Sequence, residues 1–445
     1  MEINEYLTAQ ILSSLKLNAL NEMQIAATNA CSQHNDVVIL SPTGSGKTIA
    51  FLLSIIAKLD KQNKNVQALV IVPSRELALQ IDEVFKKMAT GYKITCCYGG
   101  HKREIEENNL IQPPALIVGT AGRLADHLRR NNFSTNHITT LVLDEFDKSL
   151  ELGFQEEMAA IIKTLPAVKN KILTSATRAE YLPDFMGIAT PYYVDFLGNV
   201  IEKKHIADEV IIQTLASDDK DKSAILTSFL SFIDNKSAIV FCNHRDAVER
   251  TNAILKENGL VSVFYHGGME QQEREAAMCK FKNGTSNILI TTDLASRGLD
   301  IPDIKYIIHY HLPATEDVNT HRNGRTGRMF SGGKIVYILS ADEILPAYIT
   351  EQTFPLALPE QIALPDKPTW STLFIAAGKK DKVNKIDIVG FLHNNATLKK
   401  EDIGLIEVKD FYAFAAIRKL KIGNVVELVK DKKLKNKKVK IDIAK

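Results

Sequence analysis

Val37-Val38-Ile39-Leu40-Ser41-Pro42-Thr43-Gly44-Ser45-Gly46-Lys47-Thr48 decides the fold. An apolar run enters, a glycine-broken turn follows, and residues 49–59 then carry a helical pattern. Strand, glycine loop and helix in that order form a phosphate cradle. The glycines let backbone N–H groups approach an anion, and the helix N-terminus adds partial positive charge. Lys47 is spaced to reach β- and γ-phosphates, and Thr48 to hold Mg²⁺. Ser41 stands where the first glycine usually does.

Similar apolar runs recur on both sides of a break near residues 196–205. The first set is 36–40, 68–72, 115–118, 140–143 and 171–174. The second is 237–242, 261–265, 287–291, 306–310 and 335–339. Continuous apolar strands alternating with helices mean parallel sheets buried on both faces. Two such sets mean two tandem α/β domains. Pro355, Pro359, Pro365 and Pro368 then mark a linker, and the remainder fits a small β-α-β-β-α-β unit.

Two further segments carry chemistry. Leu141-Val142-Leu143-Asp144-Glu145-Phe146-Asp147 is an apolar strand ending in acids, which delivers carboxylates to the sheet edge where α/β ligands bind. Asp144 is suited to orient Mg²⁺ through water, and Glu145 to polarise the attacking water as base. His321-Arg322-Asn323-Gly324-Arg325-Thr326-Gly327-Arg328 is poor core material and well made to grip phosphate. Arg325 and Arg328 lie three apart, within reach of one γ-phosphate. The alternative is a surface salt-bridge cluster, which leaves the glycine spacing unexplained. Cradle and arginines together suggest an ATP enzyme whose domains close on nucleotide.

Charge is divided unevenly. Residues 371–445 hold 18 lysines and arginines against 9 aspartates and glutamates, so they carry +9; the whole chain carries +2, which leaves −7 on the rest. A basic appendage on an acidic body suggests either a nucleic-acid anchor or a solvated lysine tail, and charge alone does not choose. Five cysteines without C-x-x-C spacing fit reduced cytoplasmic thiols better than disulfides or zinc. Residues 1–5 show no signal-peptide pattern, and no apolar run is long enough to span a membrane.

With these motifs in this order, nearly the whole chain resembles a DEAD-box RNA helicase. Residues 41–48 resemble motif I and Pro73-Ser74-Arg75-Glu76-Leu77-Ala78 motif Ia. Gly99-Gly100 and Thr120-Ala121-Gly122-Arg123 resemble the next two RNA-contacting motifs. Asp144 to Asp147 occupy the name motif, and Ser175-Ala176-Thr177 is motif III. Val240-Phe241-Cys242 resembles motif IV, Gln271 and Arg274 fit the Gln-x-x-Arg element, residues 292–300 resemble motif V and residues 321–328 motif VI. The resemblance implies two RecA-like parallel-sheet domains, at 1–198 and 206–350, with a linker at 351–370. It implies ATP and Mg²⁺ held by Gln24, Ser41, Thr43, Gly44, Ser45, Gly46, Lys47, Thr48, Asp144 and Asp300. Catalysis falls to Lys47, Asp144, Glu145, Arg325 and Arg328, and coupling to Asp147, Ser175, Thr177 and His321. Pro73, Arg75, Gly100, Thr120, Arg123, Arg274 and Thr292 are expected to face RNA, whose backbone carries no base information. Phe146 departs from the family's alanine, Lys16-Leu17 and Leu20 from the adenine-reading motif around Gln24, and Asn323 from an apolar residue.

Residues 371–445 resemble the RNA-binding domain of DbpA-type helicases, a variant RRM. Strand alternation puts Phe411, Ala413, Ala415 and Ile417 on the core face and turns Tyr412 and Phe414 outward, where aromatics stack bases; the alternative packs both under a loop. Eight lysines against two aspartates in residues 430–445 add salt-dependent affinity. The resemblance implies a ribosomal RNA partner in large-subunit precursors, and the expected protein is a cytoplasmic monomer free of membrane. A general RNA chaperone like the cold-shock helicases, a DNA helicase and a scaffold with a vestigial ATP site are the other readings. The intact Lys47, Glu145, Arg325 and Arg328 argue against the last.

Overall fold

The computed structural model describes residues 5–178, 182–197, 210–293, 304–325 and 333–444. The chain divides into two compact units near residues 205 and 206.

The first unit begins with α1 (Glu5–Leu15) and α2 (Glu22–Gln33), then β1 (Asp36–Leu40) and α3 (Lys47–Ile56). Next come β2 (Ala68–Val72), α4 (Arg75–Lys87), β3 (Ile94–Cys97), α5 (Arg103–Leu110), β4 (Leu116–Thr120) and α6 (Ala121–Arg129). β5 (Thr140–Leu143), α7 (Phe146–Glu151), α8 (Gln155–Lys163), β6 (Asn170–Ser175) and β7 (Tyr192–Asp195) complete it. The described strands form one parallel sheet in the order β3-β4-β2-β5-β6-β1-β7. Alternate residues of β2 point to opposite faces: Val70 and Val72 join one apolar cluster, Leu69 and Ile71 the other.

The second unit carries β8 (Ile211–Ser217), α9 (Ser223–Phe232), β9 (Ala238–Phe241), α10 (Arg245–Glu257), β10 (Ser262–Tyr265) and α11 (Gln271–Lys282). β11 (Ile288–Thr291), β12 (Tyr306–His309), α12 (Glu316–Asn323), β13 (Lys334–Ser340) and β14 (Phe354–Pro355) follow. Its parallel sheet runs β10-β11-β9-β12-β13-β8-β14. Among the described residues each of these sheets thus has two strands beyond the roughly five expected. The expected linker is partly structure: β14 pairs with β8, and Leu356 and Leu358 pack on the domain's core.

The same unit ends in β15 (Trp370–Ile375), α13 (Lys385–Ala396), β16 (Ile403–Val408), β17 (Ala413–Arg418), α14 (Lys419–Val429), a short hairpin of β18 (Lys433–Leu434) and β19 (Lys437–Lys438), and β20 (Ile441–Ile443). The antiparallel order β16-β17-β15-β20 is the β-α-β-β-α-β arrangement expected. Helices α13 and α14 cover one face over Leu373, Ala413, Ala415 and Ile417. Phe411 is a correction: it precedes the strand, so alternation does not apply to it, and it is exposed.

Phe146, at the departure from the family's alanine, is 1% exposed and fills the first unit's core with Leu143, Met158 and Leu173. Phe146→Ala is expected to leave a cavity and destabilise this unit by roughly 3–5 kcal/mol. Denaturant unfolding followed by circular dichroism measures it.

Candidate functional site

The phosphate loop is shaped by its glycines. Gly44 and Gly46 take φ of +84° and +89°, a region that L side chains resist. A Cβ on Gly46 would stand 2.4 Å from Gln24 Nε2. Gln24 is buried and braces the loop: its amide donates to the Gly46 carbonyl at 3.3 Å, and Asn21 Nδ2 donates to the Ser45 carbonyl at 2.9 Å. Asn21 and Gln24 also form the capping box of α2. Lys47, first residue of α3, folds its ammonium back onto the carbonyls of Ser41 and, at 3.0 Å, Pro42. Thr48 follows it. The Thr43 and Ser45 hydroxyls are buried without a hydrogen-bond partner. Orphaned donors around a glycine loop at a helix N-terminus fit a polyphosphate.

The acids stand one strand-pair away, because register pairs Leu143 with Leu173 and Leu40 with Ser175. Asp144 directly follows β5, is 3% exposed, and accepts from the Thr174 hydroxyl. Burial, then the neighbouring Glu145 charge, push its carboxyl up to about 7, against Thr174 and Lys47. A divalent cation there would favour the ionised form. Glu145 has φ +50° and ψ +51°. A non-glycine residue held there costs about 1–3 kcal/mol, and such strain clusters at active sites. Its N–H donates to Thr174 Oγ1 at 3.2 Å. Asp147 accepts from the Thr177 hydroxyl at 2.6 Å, and Ser175 Oγ accepts the Thr177 N–H at 2.9 Å. The structure therefore ties Asp147, Ser175 and Thr177 together.

The first unit's residues expected to face RNA gather at the ends of β2, β3 and β4, adjacent in the sheet. Pro73 is buried and Arg75 opens α4. The Arg75 guanidinium lies against Gly100, whose φ of +96° admits it; a Cβ there would be 2.3 Å from Nη1. Thr120 caps α6, and Arg123 Nη2 donates to the His101 carbonyl at 3.0 Å. Behind them sits Glu106, 1% exposed. It accepts the Tyr98 N–H at 2.8 Å and meets His127 at 2.7 Å, His101 at 3.1 Å and Arg123 at 3.5 Å. Burial raises its carboxyl, but these partners outweigh it and hold it below the usual range. Cys97, Glu106 and His127 offer ligand atoms within 4.8 Å of one another. Yet burial pushes the Cys97 thiol well up and both Glu106 oxygens are engaged, so the cluster is a hydrogen-bonded brace.

In the second unit Arg322, 1% exposed, binds the Asp293 carboxylate, Asn243 Oδ1 at 2.8 Å and the His311 carbonyl at 2.7 Å. Asn323, unexplained by sequence, joins a buried polar chain: it accepts from His309 at 2.9 Å and donates to Asn319 at 3.2 Å. Tyr337 stacks on His309 at 4.3 Å and donates to Asn319 at 2.6 Å. His321 lies in α12 and Arg325 just beyond it, both buried. Thr292 follows β11, and Arg274 lies over the Tyr265 ring at 5.8 Å. Asp300 and Arg328 lie outside the described residues.

Tyr412 and Phe414 require correction. Alternation does turn them from their own core, but α11 covers that face. Phe414 is 0% exposed and packs on Ala276 and Cys279 with Phe374 and Tyr412 beside it. Asn283 donates to Thr372 at 2.9 Å across the same seam. Phe414 therefore adheres to protein and is closed to a base. The lysines of residues 379–382 and the hairpin β18–β19 remain exposed, with Lys435 donating to the Lys382 carbonyl. Sequence reasoning also missed Thr174, Glu106, Asn243 and Glu275. For Thr174 the signal was present, a threonine ending an apolar strand beside motif III.

Three family models match: DEAD/DEAH box helicase over residues 21–185, helicase conserved C-terminal domain over 221–330, and DbpA RNA binding domain over 372–443. The chain is 30% identical over 455 residues to the ATP-dependent RNA helicase DbpA of Escherichia coli (strain K12), covering 98% of this chain and 99% of that protein. The protein of the same name from Bacillus subtilis (strain 168) is 28% identical over 465 residues, covering 97% and 96%. S. cerevisiae Dbp5 bound to RNA and ADP BeF3 shares the fold with TM-score 0.68 at 24% identity, over 80% of this chain and 94% of that one.

Gly46→Ala is expected to abolish nucleotide binding while the protein stays folded, because the new methyl meets Gln24 at positive φ. Titration of a fluorescent ATP analogue, with a melting curve as control, measures it.

Proposed function

We propose a role in large ribosomal subunit assembly for this chain, which belongs to the DEAD-box ATP-dependent RNA helicases of the DbpA type. It uses ATP turnover to part short duplexes in 23S ribosomal RNA. The observation that carries this reading is the C-terminal unit, matched as a DbpA RNA binding domain and bearing the +9 charge. Five free cysteines suit work in the reducing cytoplasm. Among the described residues no helix is long and apolar enough to cross a membrane. Each part named below lies on one chain, which suits a monomer.

The division of labour follows from position. Lys47 and the loop N–H groups hold phosphates, and Thr48 and Asp144 hold Mg²⁺, which supplies charge neutralisation when bound. Glu145, kept by its strained backbone at the strand end, takes the proton of the attacking water. Arg325 and Arg328 stabilise charge that develops on the γ-phosphate. The Asp147–Thr177–Ser175 link joins the acid motif to motif III and so couples turnover to RNA. Arg75, Gly100, Thr120 and Arg123 grip backbone in the first domain, and Gln271, Arg274 and Thr292 in the second. Preference for structured RNA falls to the lysine-bearing loops of the C-terminal unit, since its aromatic face is covered.

Crosslinking in cells followed by sequencing of bound RNA tests the reading. Reads concentrated in large-subunit ribosomal RNA are expected; reads spread over many messenger RNAs would favour the general chaperone.

Glu145→Gln is expected to retain ATP and RNA binding while turnover falls about 10²–10⁴-fold. Phosphate release at saturating ATP and RNA measures it. Alanine at Lys380, Lys433 and Lys437 together is expected to flatten the salt dependence of RNA binding, by about 0.7–0.9 in log–log slope per lost phosphate contact. Fluorescence anisotropy across a salt series measures that change.

A further inference from the structure

The seam between α11 and the C-terminal sheet is dry in the middle and polar at both ends. Phe414, Ala276 and Cys279 fill the middle. At one end Asn283 and Thr285 meet Thr372 at 2.9 and 2.8 Å. At the other end sits Glu275, whose side chain is 16% exposed. Glu275 Oε1 accepts from Gln271 Nε2 at 3.1 Å. Burial, then the nearby Glu275 carboxylate, push the Tyr412 phenol up, and Lys409 Nζ lies 3.9 Å from Oε2. Lys409 is in turn fixed by Glu407 at 2.9 Å, and its backbone N–H donates to the Tyr412 carbonyl at 2.8 Å.

One carboxylate thus lies between two things: the docked unit, through Lys409, on one side and Gln271, first residue of the Gln-x-x-Arg element, on the other. A glutamine–glutamate pair four apart on a free helix is weak. Here the glutamate is largely buried beside Lys409 and the Tyr412 ring of the docked sheet, so docking restricts the acceptor it offers Gln271. We propose that Glu275 is a positioning residue through which docking of the C-terminal unit sets the RNA-gripping end of α11. The inference rests on reading Gln271 and Arg274 as RNA-facing. Coupling of this kind is reciprocal: RNA held at α11 favours the docked unit as much as docking favours RNA. The C-terminal unit then contributes to backbone grip on any RNA, beyond its own preference.

The test uses the full chain and poly(U), which has no structure for the C-terminal unit to select. Glu275→Ala is expected to raise the poly(U) KM for ATP turnover about fivefold, with kcat at saturating poly(U) and the melting temperature close to the parent's. Tyr412→Phe keeps the ring and removes the hydroxyl; it is expected to raise KM less, and the double variant no more than Glu275→Ala alone. Arg274→Ala is expected to raise KM by itself. If Arg274→Ala leaves KM unchanged, the RNA-facing reading of α11 fails and the inference with it. If Arg274→Ala raises KM while Glu275→Ala does not, coupling through Glu275 alone is overturned. A Glu275→Ala protein with lowered melting temperature and lowered kcat, or effects of Glu275→Ala and Tyr412→Phe that simply add, would also overturn it.

Discussion

A parallel sheet covered by helices on both faces leaves one place for polar chemistry, the carboxyl ends of its strands. The candidate sites of both parallel-sheet domains depend on that constraint. In the first domain β1, β5 and β6 are neighbours and end in the phosphate loop, Asp144 and Ser175. Strands β3, β4 and β2 are neighbours too, and end beside Gly100, Thr120 and Pro73. The residues proposed for nucleotide and those proposed for RNA therefore occupy different halves of one sheet edge. The second domain repeats the plan, with Thr292 after β11 and α12 after β12. Strand order alone separates the two sets of residues while keeping them on one sheet edge.

The C-terminal unit obeys a different constraint. An antiparallel sheet with helices on one face has a second face to dispose of. Here Phe374, Tyr412 and Phe414 lie on that face, and the chain uses them for adhesion to α11. The linker makes the same economy, since β14 extends the second domain's sheet before β15 begins. Burying a phenylalanine on the helix that carries Gln271 and Arg274 places the unit's attachment beside the residues proposed to grip RNA backbone. Its lysines stay outward, where counterion release drives affinity.

The two-domain fold was legible in the sequence because buried parallel strands are continuous apolar runs with glycine loops between them. Of the four strands that were missed, β3, β7, β8 and β14, three break that rule. β3 reads Ile94-Thr95-Cys96-Cys97, β8 carries Gln213 and Thr214 in its middle, and β14 holds a proline at the sheet edge. The glycine loop before α3 was legible for a similar reason, since its shape needs local sequence and little else. Tertiary partners were not. Alternation correctly placed Phe414 opposite its own core, but nothing local says that a helix far upstream covers it. Asn323 likewise looked anomalous until His309, Asn319 and Tyr337 stood around it. Glu106 and Glu275 carry no motif at all, and their importance lies wholly in what surrounds them.

The central claim is that ATP turnover in this chain answers to RNA gripped at the strand ends of both domains. Steady-state phosphate release by the full chain tests it most directly, with single-stranded RNA, single-stranded DNA of the same sequence and no nucleic acid compared at equal concentration. The account predicts strong stimulation by RNA and almost none by DNA. Equal turnover in all three, or equal stimulation by DNA and RNA, would contradict it.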